Sequence, residues 1–162
     1  MPVMQISTRF VACLLTCVAS TVIVGAQHHS PSASAMGFDQ DKTAHHFRLT
    51  TAGGAIEVVA REPNDRALLV QVRAHLQEIA AEFAAGQFGK PFMTHGEAPA
   101  GVRVMEQQKH KIAYVFEEIP DGGRVLITTS DGRAKNAVHD FLRYQIREHQ
   151  TGDSMTIESK PR

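Results

Sequence analysis

Apolar and polar residues alternate in two pairs of short stretches, and a stretch with helical spacing follows each pair. Alternation is typical of a strand that buries one face, whereas apolar residues three and four positions apart indicate an amphipathic helix. The pattern therefore predicts the order strand, strand, helix, and this order occurs twice along the chain.

The first unit begins at the double histidine of Lys42-Thr43-Ala44-His45-His46. The predicted inward-facing residues of its two strands are His45, Phe47, Leu49, Ile56, Val58 and Ala60. Gly53-Gly54 is predicted to form the hairpin turn between them. Asp65 is predicted to cap the following helix, which ends at Gly86. Its apolar stripe consists of Leu68, Val72, Leu76, Ile79 and Phe83.

The second unit repeats this pattern after a long segment, 86–109, that is rich in glycine and proline and is expected to pack against the core. The inward-facing residues of its strands are Ile112, Tyr114, Phe116, Val125, Ile127 and Thr129, with a turn over 120–123. His110 extends the same inward row. Ser130-Asp131-Gly132 is predicted to begin the second helix, which ends at Gly152. Its stripe consists of Val138, Phe141, Leu142 and Ile146.

These elements predict one domain over residues 42–152. A single hairpin cannot bury its apolar face alone, so the two hairpins are expected to form one four-stranded antiparallel sheet. With both helices on one face, the fold class is α+β, a two-layer sandwich with a ββα-ββα pseudo-repeat. Residues 27–41 are predicted to be a flexible leader that contains histidine, and residues 153–162 a disordered tail.

Residues 1–26 are predicted to be a secretory signal peptide. Arg9 supplies the positive charge, residues 10–24 are apolar, and Val24-Gly25-Ala26 has the small residues of a cleavage site. A retained membrane anchor is the alternative, but the apolar run is shorter than the ~20 residues that a spanning helix requires. A lipoprotein formed through Cys17 is disfavoured by the size of Thr16. We expect a periplasmic or secreted protein with no stable membrane insertion after cleavage near Ala26.

The amino-acid composition excludes several kinds of functional site from the mature chain. Cys13 and Cys17 both lie in the signal peptide, so no thiol or disulfide remains after cleavage. Basic and acidic residues balance at 17 each, and no basic patch indicates binding to nucleic acid. No sequence motif of a hydrolase, a nucleotide-binding loop or a zinc protease is present, so the sequence identifies no catalytic or cofactor-binding residue.

The nine histidines are the main anomaly of composition. Imidazole with thioether is the ligand set that copper favours in a thiol-free site, with zinc and nickel less favoured. The candidate metal ligands are His28, His29, His45, His46, His75, His95, His139, Met93 and Met105. The mature terminus Gln27-His28-His29 also offers four nitrogens for Cu(II) or Ni(II).

Structural roles are the alternative for several of these ligands. Met93 and Met105 would then anchor the long loop on the core. His75 and His139, which lie at similar places in the two halves, would be ordinary residues at the edge of an apolar stripe. His45 and His46 point to opposite faces of a strand, so the pair cannot chelate one ion without a bulge.

Several segments resemble a family of small secreted bacterial proteins. They are Met36-Gly37-Phe38-Asp39-Gln40, His45-His46-Phe47, Gly122-Gly123-Arg124-Val125 and His139-Asp140-Phe141-Leu142-Arg143. The family has no assigned activity, so the resemblance implies a compartment and a shared fold and no catalytic residues.

Three functions follow in order of preference. The first is a periplasmic or secreted metal-binding protein, with copper as the metal. The second is a non-enzymatic module that binds a small ligand or a protein and holds no metal. The third is a small enzyme with His75 or His139 as general base. It is ranked last because no nucleophile or paired acid is recognisable, and the sequence indicates no oligomeric state.

Overall fold

Both predicted ββα units are present in the computed structural model, which describes residues 36–91 and 98–158. The elements are β1 (Thr43–Thr50), β2 (Gly53–Ala60), α1 (Arg66–Ala84), α2 (Val102–Gln107), β3 (Ala113–Ile119), β4 (Gly122–Thr128) and α3 (Gly132–Glu148). Short 3-10 turns at Gln40–Lys42 and Lys109–Lys111 precede β1 and β3. The predicted signal peptide and most of the leader lie outside the described residues.

The four strands form one antiparallel sheet in the order β1-β2-β4-β3. The hairpins join through their second strands, so β2 and β4 occupy the centre. Phe47 pairs with Ile56 in the first hairpin, and Phe116 pairs with Val125 in the second. Because equivalent residues pair in both hairpins, the register confirms the α+β class and the ββα-ββα pseudo-repeat.

Two glycines of the sheet mark where the helices approach it. A Cβ atom on Gly54 would meet Leu142 of α3, and one on Gly123 would meet Leu76 of α1. Both glycines lie on the face that carries the core side chains of β2 and β4. The helices α1 and α3 therefore cover the same face of the sheet, as the two-layer sandwich requires.

The capping residues Asp65, Asp131 and Gly86 act as predicted, whereas α3 ends at Glu148 rather than at Gly152. The Asp65 side chain accepts a hydrogen bond of 3.1 Å from the backbone of Leu68, and that of Asp131 accepts one of 2.9 Å from Ala134. Each carboxylate satisfies a backbone N–H that has no partner inside its helix. Gly86 adopts a left-handed φ of 77° just after α1, where a residue without Cβ is favoured.

The core lies between the helices and the sheet. Its fully buried side chains include Leu49, Val58, Leu76, Phe83, Met105, Val125, Ile127, Val138, Phe141 and Leu142. Met105 lies on α2, a short helix within the segment for which the sequence indicated no regular element. Its complete burial favours the anchoring role over a metal role. Within the described ranges, no helix is both long enough and apolar enough to cross a bilayer.

The Gly-Gly pairs have a different role from the one predicted. Thr51-Ala52 and Pro120-Asp121 form the turns, while Gly53-Gly54 and Gly122-Gly123 begin β2 and β4. A Cβ on Gly53 would meet the backbone of Ile127, and one on Gly122 would meet the backbone of Val58. The prediction of turn glycines was wrong because these residues serve the close approach of the two central strands.

Residues 153–158 lie along the outer edge of β1. The Phe47 N–H donates to Asp153 Oδ2 at 2.9 Å, and the Glu158 N–H donates to the carbonyl oxygen of Leu49 at 2.8 Å. This differs from the disordered tail predicted from residue 153 onward, because the segment satisfies backbone groups that an edge strand leaves open. Residues 159–162 lie outside the described part.

Candidate functional site

Three histidines meet at a cleft between α1 and α3. His45 comes from β1, His75 from α1, and His149 directly follows α3. The cleft has a free volume of about 50 Å³ and extends towards the sheet. Its other lining residues are Met36, Phe47, Ile56, Val58, Leu76, Ile79, Phe83, Lys90, Pro91, Phe141 and Gln145. We refer to this feature as the histidine cleft.

The aromatic rings around the cleft pack against one another. The rings of His45 and His149 stack with centroids 5.2 Å apart and an angle of 24° between their planes. Phe38 stacks on His45 at 6.0 Å and meets the edge of His75 at 5.3 Å. The segment before β1 therefore holds both imidazoles in place from one side.

Burial keeps two of these imidazoles neutral. It lowers the pKa of His45 to about 3, with further lowering from the charges of His149, His75 and His46. Burial likewise lowers the pKa of His75 to about 4, helped by the positive charge of Lys90. At neutral pH each ring therefore offers one N–H donor and one nitrogen acceptor.

One ring nitrogen of His45 lacks a hydrogen-bond partner among the described residues. The Nε2 atom of His45 is buried, and none of the residues in the described ranges bonds to it. A buried polar atom without a partner raises the free energy of the folded state and is uncommon in proteins. A ligand group in the cleft would remove that cost.

The only cation lining the cleft among the described residues is already neutralised. Lys90 Nζ lies 2.6 Å from a carboxylate oxygen of Glu82 and 3.1 Å from one of Glu78. Burial opposes the charge of Lys90, but the hydrogen bonds to both carboxylates outweigh it and raise the pKa. The lysine therefore provides no unmatched positive charge for an anion.

A second, polar depression opens beside the cleft, with a volume of about 500 Å³. Its lining residues are Gln40, Asp41, Thr43, Ala44, His45, His46, Arg61, His149, Gln150 and Thr151. His45 and His149 line both spaces, so the stacked pair forms the boundary between them. The Nδ1 atom of His46 lies 3.1 Å from Asp153 Oδ1.

The structure separates the predicted metal ligands. His45 and His75 meet in the cleft, whereas His46 pairs with Asp153 and His139 bonds to the carbonyl oxygen of Thr50 at 3.0 Å. Four predicted ligands lie outside the described residues: His28, His29, Met93 and His95. Over the described ranges, no three His, Cys, Asp or Glu side chains have positions that would hold a metal ion.

The prediction for His110 was wrong. His110 does not continue the inward row of β3, because it lies exposed in the 3-10 turn that precedes the strand. His139 is buried where α3 meets the end of β1, and a donor bonded to a backbone carbonyl there is poorly suited to act as a general base.

His149 is a site residue that was not among the candidates predicted from the sequence. On α3 the series Phe141, Gln145 and His149 advances by four residues, which places all three on one face of a helix. Because the stripe continues past Ile146 on this face, the sequence could have indicated that His149 lies beside the core.

The resemblance to small secreted bacterial proteins stays a prediction. No family model, curated protein sequence or solved structure gives a significant match to the chain.

Proposed function

We propose that the chain is a non-enzymatic binding module whose site is the histidine cleft. The ligand is a small uncharged molecule with a short apolar arm. The observation that carries this proposal is the buried Nε2 of His45, which lacks a hydrogen-bond partner among the described residues and belongs to a ring that lines an apolar cleft.

The volume of the cleft limits the size of the apolar group that the ligand can place in it. One water molecule requires roughly 10–15 Å³ of such volume, so about 50 Å³ accommodates roughly four water molecules or an apolar group of similar size. Phe47, Ile79 and Phe83 supply apolar contact. Each Å² of apolar surface removed from water contributes about 25 cal/mol. A branched group of four carbons therefore suits the space.

The charge state of the cleft favours a neutral ligand. An ion transferred into an apolar site is strongly destabilised unless it finds a partner of opposite charge. His45 and His75 are uncharged near neutral pH because burial lowers the pKa of each. Lys90 is matched by Glu78 and Glu82. A neutral hydroxyl or amide can hydrogen-bond to an imidazole without this penalty.

Four probes that share one apolar arm test the proposal by NMR titration of the purified mature protein. Isobutanol and isobutyramide are expected to give saturable shifts at residues of the cleft, whereas isobutyrate and isobutylammonium are not. Equal binding of the charged and uncharged probes, or no saturable shift with any probe, would contradict the proposal.

A variant that fills the cleft completes the test. Ile79→Trp places a larger ring at the wall, and we expect it to abolish binding of isobutanol. Val70→Trp, on the same helix but 66% exposed, serves as the matched control and should leave binding unchanged. Circular dichroism of both variants shows whether the fold is retained.

Copper binding is the second candidate function. It is favoured by three imidazoles and the thioether of Met36, which line a single cleft. His45 and His75 are neutral, which is the state that coordinates a metal. The rings of His45 and His149 lie in planes only 24° apart, and imidazole lone pairs lie in the ring plane, so one ring would have to rotate for both to share an ion. Zinc and nickel suit this thiol-free set less well than copper.

Isothermal titration with Cu(I), Cu(II), Zn²⁺ and Ni²⁺ tests this candidate. Copper uptake that is weakened by His75→Gln but retained by His29→Ala would support a site in the cleft. The opposite pattern would assign the metal to the amino terminus of the mature chain. Absence of uptake at micromolar concentration, together with a metal-free protein from the native periplasm, would contradict copper binding.

The proposal includes export from the cytoplasm. It is supported by Arg9, the apolar run over 10–24 and the small residues before Gln27. Amino-terminal sequencing of the native protein should begin at Gln27 or its cyclised form. A chain that still begins at Met1 would contradict cleavage.

A further inference from the structure

The polar depression and the histidine cleft share a wall. His45 and His149 line both, so a ligand arm held in the cleft would lie next to the depression. The depression has about ten times the free volume of the cleft, about 500 against about 50 Å³. An apolar arm in the cleft therefore leaves room for a larger polar part outside it.

His46 at the depression is held in one tautomer. Asp153 receives the Phe47 N–H on Oδ2 at 2.9 Å, and His46 Nδ1 lies 3.1 Å from Oδ1. Burial disfavours the charge of Asp153, but hydrogen bonds from Thr151, Phe47 and His46 outweigh it and lower the pKa of the carboxyl. An ionised carboxylate only accepts hydrogen bonds, so Nδ1 donates.

The other nitrogen of His46 is consequently an acceptor in the neutral ring. No residue of the described ranges forms a hydrogen bond with its Nε2. The side chain is 34% exposed and lines the depression. A carboxylate behind an imidazole is a common way to fix which ring nitrogen accepts.

The fixed charges of the residues that line the depression balance. Asp41 and Arg61 are the fixed charges of opposite sign among its lining residues, and Arg61 Nε donates to the backbone carbonyl of Asp41 at 3.2 Å. Apart from the three imidazoles, the other polar side chains of the lining are amides and hydroxyls, those of Gln40, Thr43, Gln150 and Thr151. This lining suits a polar group that carries several hydrogen-bonding positions and no net charge.

We infer that the depression is a second subsite for the same ligand and that His46 Nε2 accepts a hydrogen bond from a hydroxyl group on its polar end. The ligand class is then an uncharged amphiphile with a short apolar arm and a hydroxyl-rich head. This inference rests on the proposed function of the cleft. Within it, His46 determines specificity and Asp153 is a positioning residue.

Three probes test the inference by titration of the mature protein. They are isobutanol, isobutyl β-glucoside and the same glucoside with its hydroxyls methylated, which can accept but not donate. The glucoside should bind at least about tenfold more tightly than isobutanol, and methylation should remove most of that gain, because one well-placed hydrogen bond changes an equilibrium by about this factor.

Asp153→Asn changes the tautomer of His46 while the side chain at position 153 keeps its size and shape. The amide donates to His46 Nδ1, which turns Nε2 into a donor. We expect the preference for the glucoside over its methylated form to fall at least fivefold, and ¹⁵N shifts of His46 to report the changed tautomer. Asp140→Asn, an exposed residue of α3, is the matched control and should change neither. Circular dichroism checks that both variants fold.

The outcomes distinguish the two proposals. Isobutanol that binds while the glucoside gains nothing overturns the second subsite and leaves the cleft standing. Isobutanol that does not bind overturns the proposed function itself. A gain that survives both methylation and Asp153→Asn overturns the role of His46.

Discussion

The Nε2 atom of His139 donates a hydrogen bond to the carbonyl oxygen of Thr50 at 3.0 Å. Arg73 of α1 makes the equivalent contact in the other half, where its guanidinium donates to the carbonyl oxygen of Ile119 at 3.0 Å. Thr50 and Ile119 each end the first strand of a hairpin. Each long helix is thus hydrogen-bonded to the hairpin of the opposite half. The role of His139 that follows is structural.

His139→Ala is expected to destabilise the protein by about 1–3 kcal/mol, because it removes a hydrogen bond to the Thr50 carbonyl and leaves a cavity where the buried ring was. Urea unfolding followed by circular dichroism measures the change. His110→Ala removes an exposed histidine and should change stability by less than about 0.5 kcal/mol. If His139→Ala leaves stability unchanged but lowers copper affinity, the structural role is wrong.

Much of the fold was predictable because local patterns determine it. Alternation identified both hairpins, and helical spacing with Asp65 and Asp131 identified both long helices. The repeat was visible in the match of Phe47 to Phe116. Such features depend on near neighbours in the sequence, which a single chain displays directly.

The site was less predictable because it depends on contacts between distant segments. The hydrogen bond between His46 and Asp153 joins residues 107 positions apart, and no local sequence pattern predicts it. His139 and His75 occupy similar positions in sequence, but the counterpart of His139 is Arg73. Sequence identifies a residue on an apolar stripe, whereas the neighbouring helix and sheet determine what it contacts.

Gly122→Ala is expected to prevent folding or to cost about 4 kcal/mol or more, because the new Cβ would meet the carbonyl of Val58 on the neighbouring central strand. At Gly132, the first residue of α3, the new Cβ of an alanine would meet no other segment within 4 Å among the described residues. Gly132→Ala should be neutral or stabilise by up to about 1 kcal/mol. Thermal unfolding of the pair measures both effects, and similar melting temperatures would contradict the close strand approach.

Removal of residues 153–162 is expected to destabilise the protein by about 1–3 kcal/mol. The Phe47 N–H loses its carboxylate acceptor, and the carbonyl of Leu49 loses its donor. The opened edge of β1 should also promote association, which size-exclusion chromatography over a range of concentrations detects. A chain that ends at Glu158 keeps both contacts and serves as the control. Equal stability of the two truncated chains would contradict a structural role for the segment.

The buried imidazoles link stability to pH. Burial lowers the pKa of His45 from 6.5 to about 3 and that of His75 to about 4, whereas both return to 6.5 on unfolding. Below pH 6.5 the unfolded chain therefore binds more protons than the folded chain. The contribution of the two neutral rings to the free energy of unfolding is complete above pH 6.5. It is lost as the pH falls towards the folded-state pKa values, about 4 for His75 and about 3 for His45.

Between pH 6 and 4.5 each of these histidines is expected to lower the free energy of unfolding by about 1 kcal/mol per pH unit. This window lies above the range in which Asp131 and Asp153, whose pKa values are lowered, become protonated. Urea midpoints measured across it should fall steeply in the wild-type protein and about half as steeply in His75→Gln. His110→Gln should keep the wild-type slope, since that residue is exposed. A midpoint that does not change from pH 6 to 4.5 would show that the cleft histidines are not buried in the neutral form.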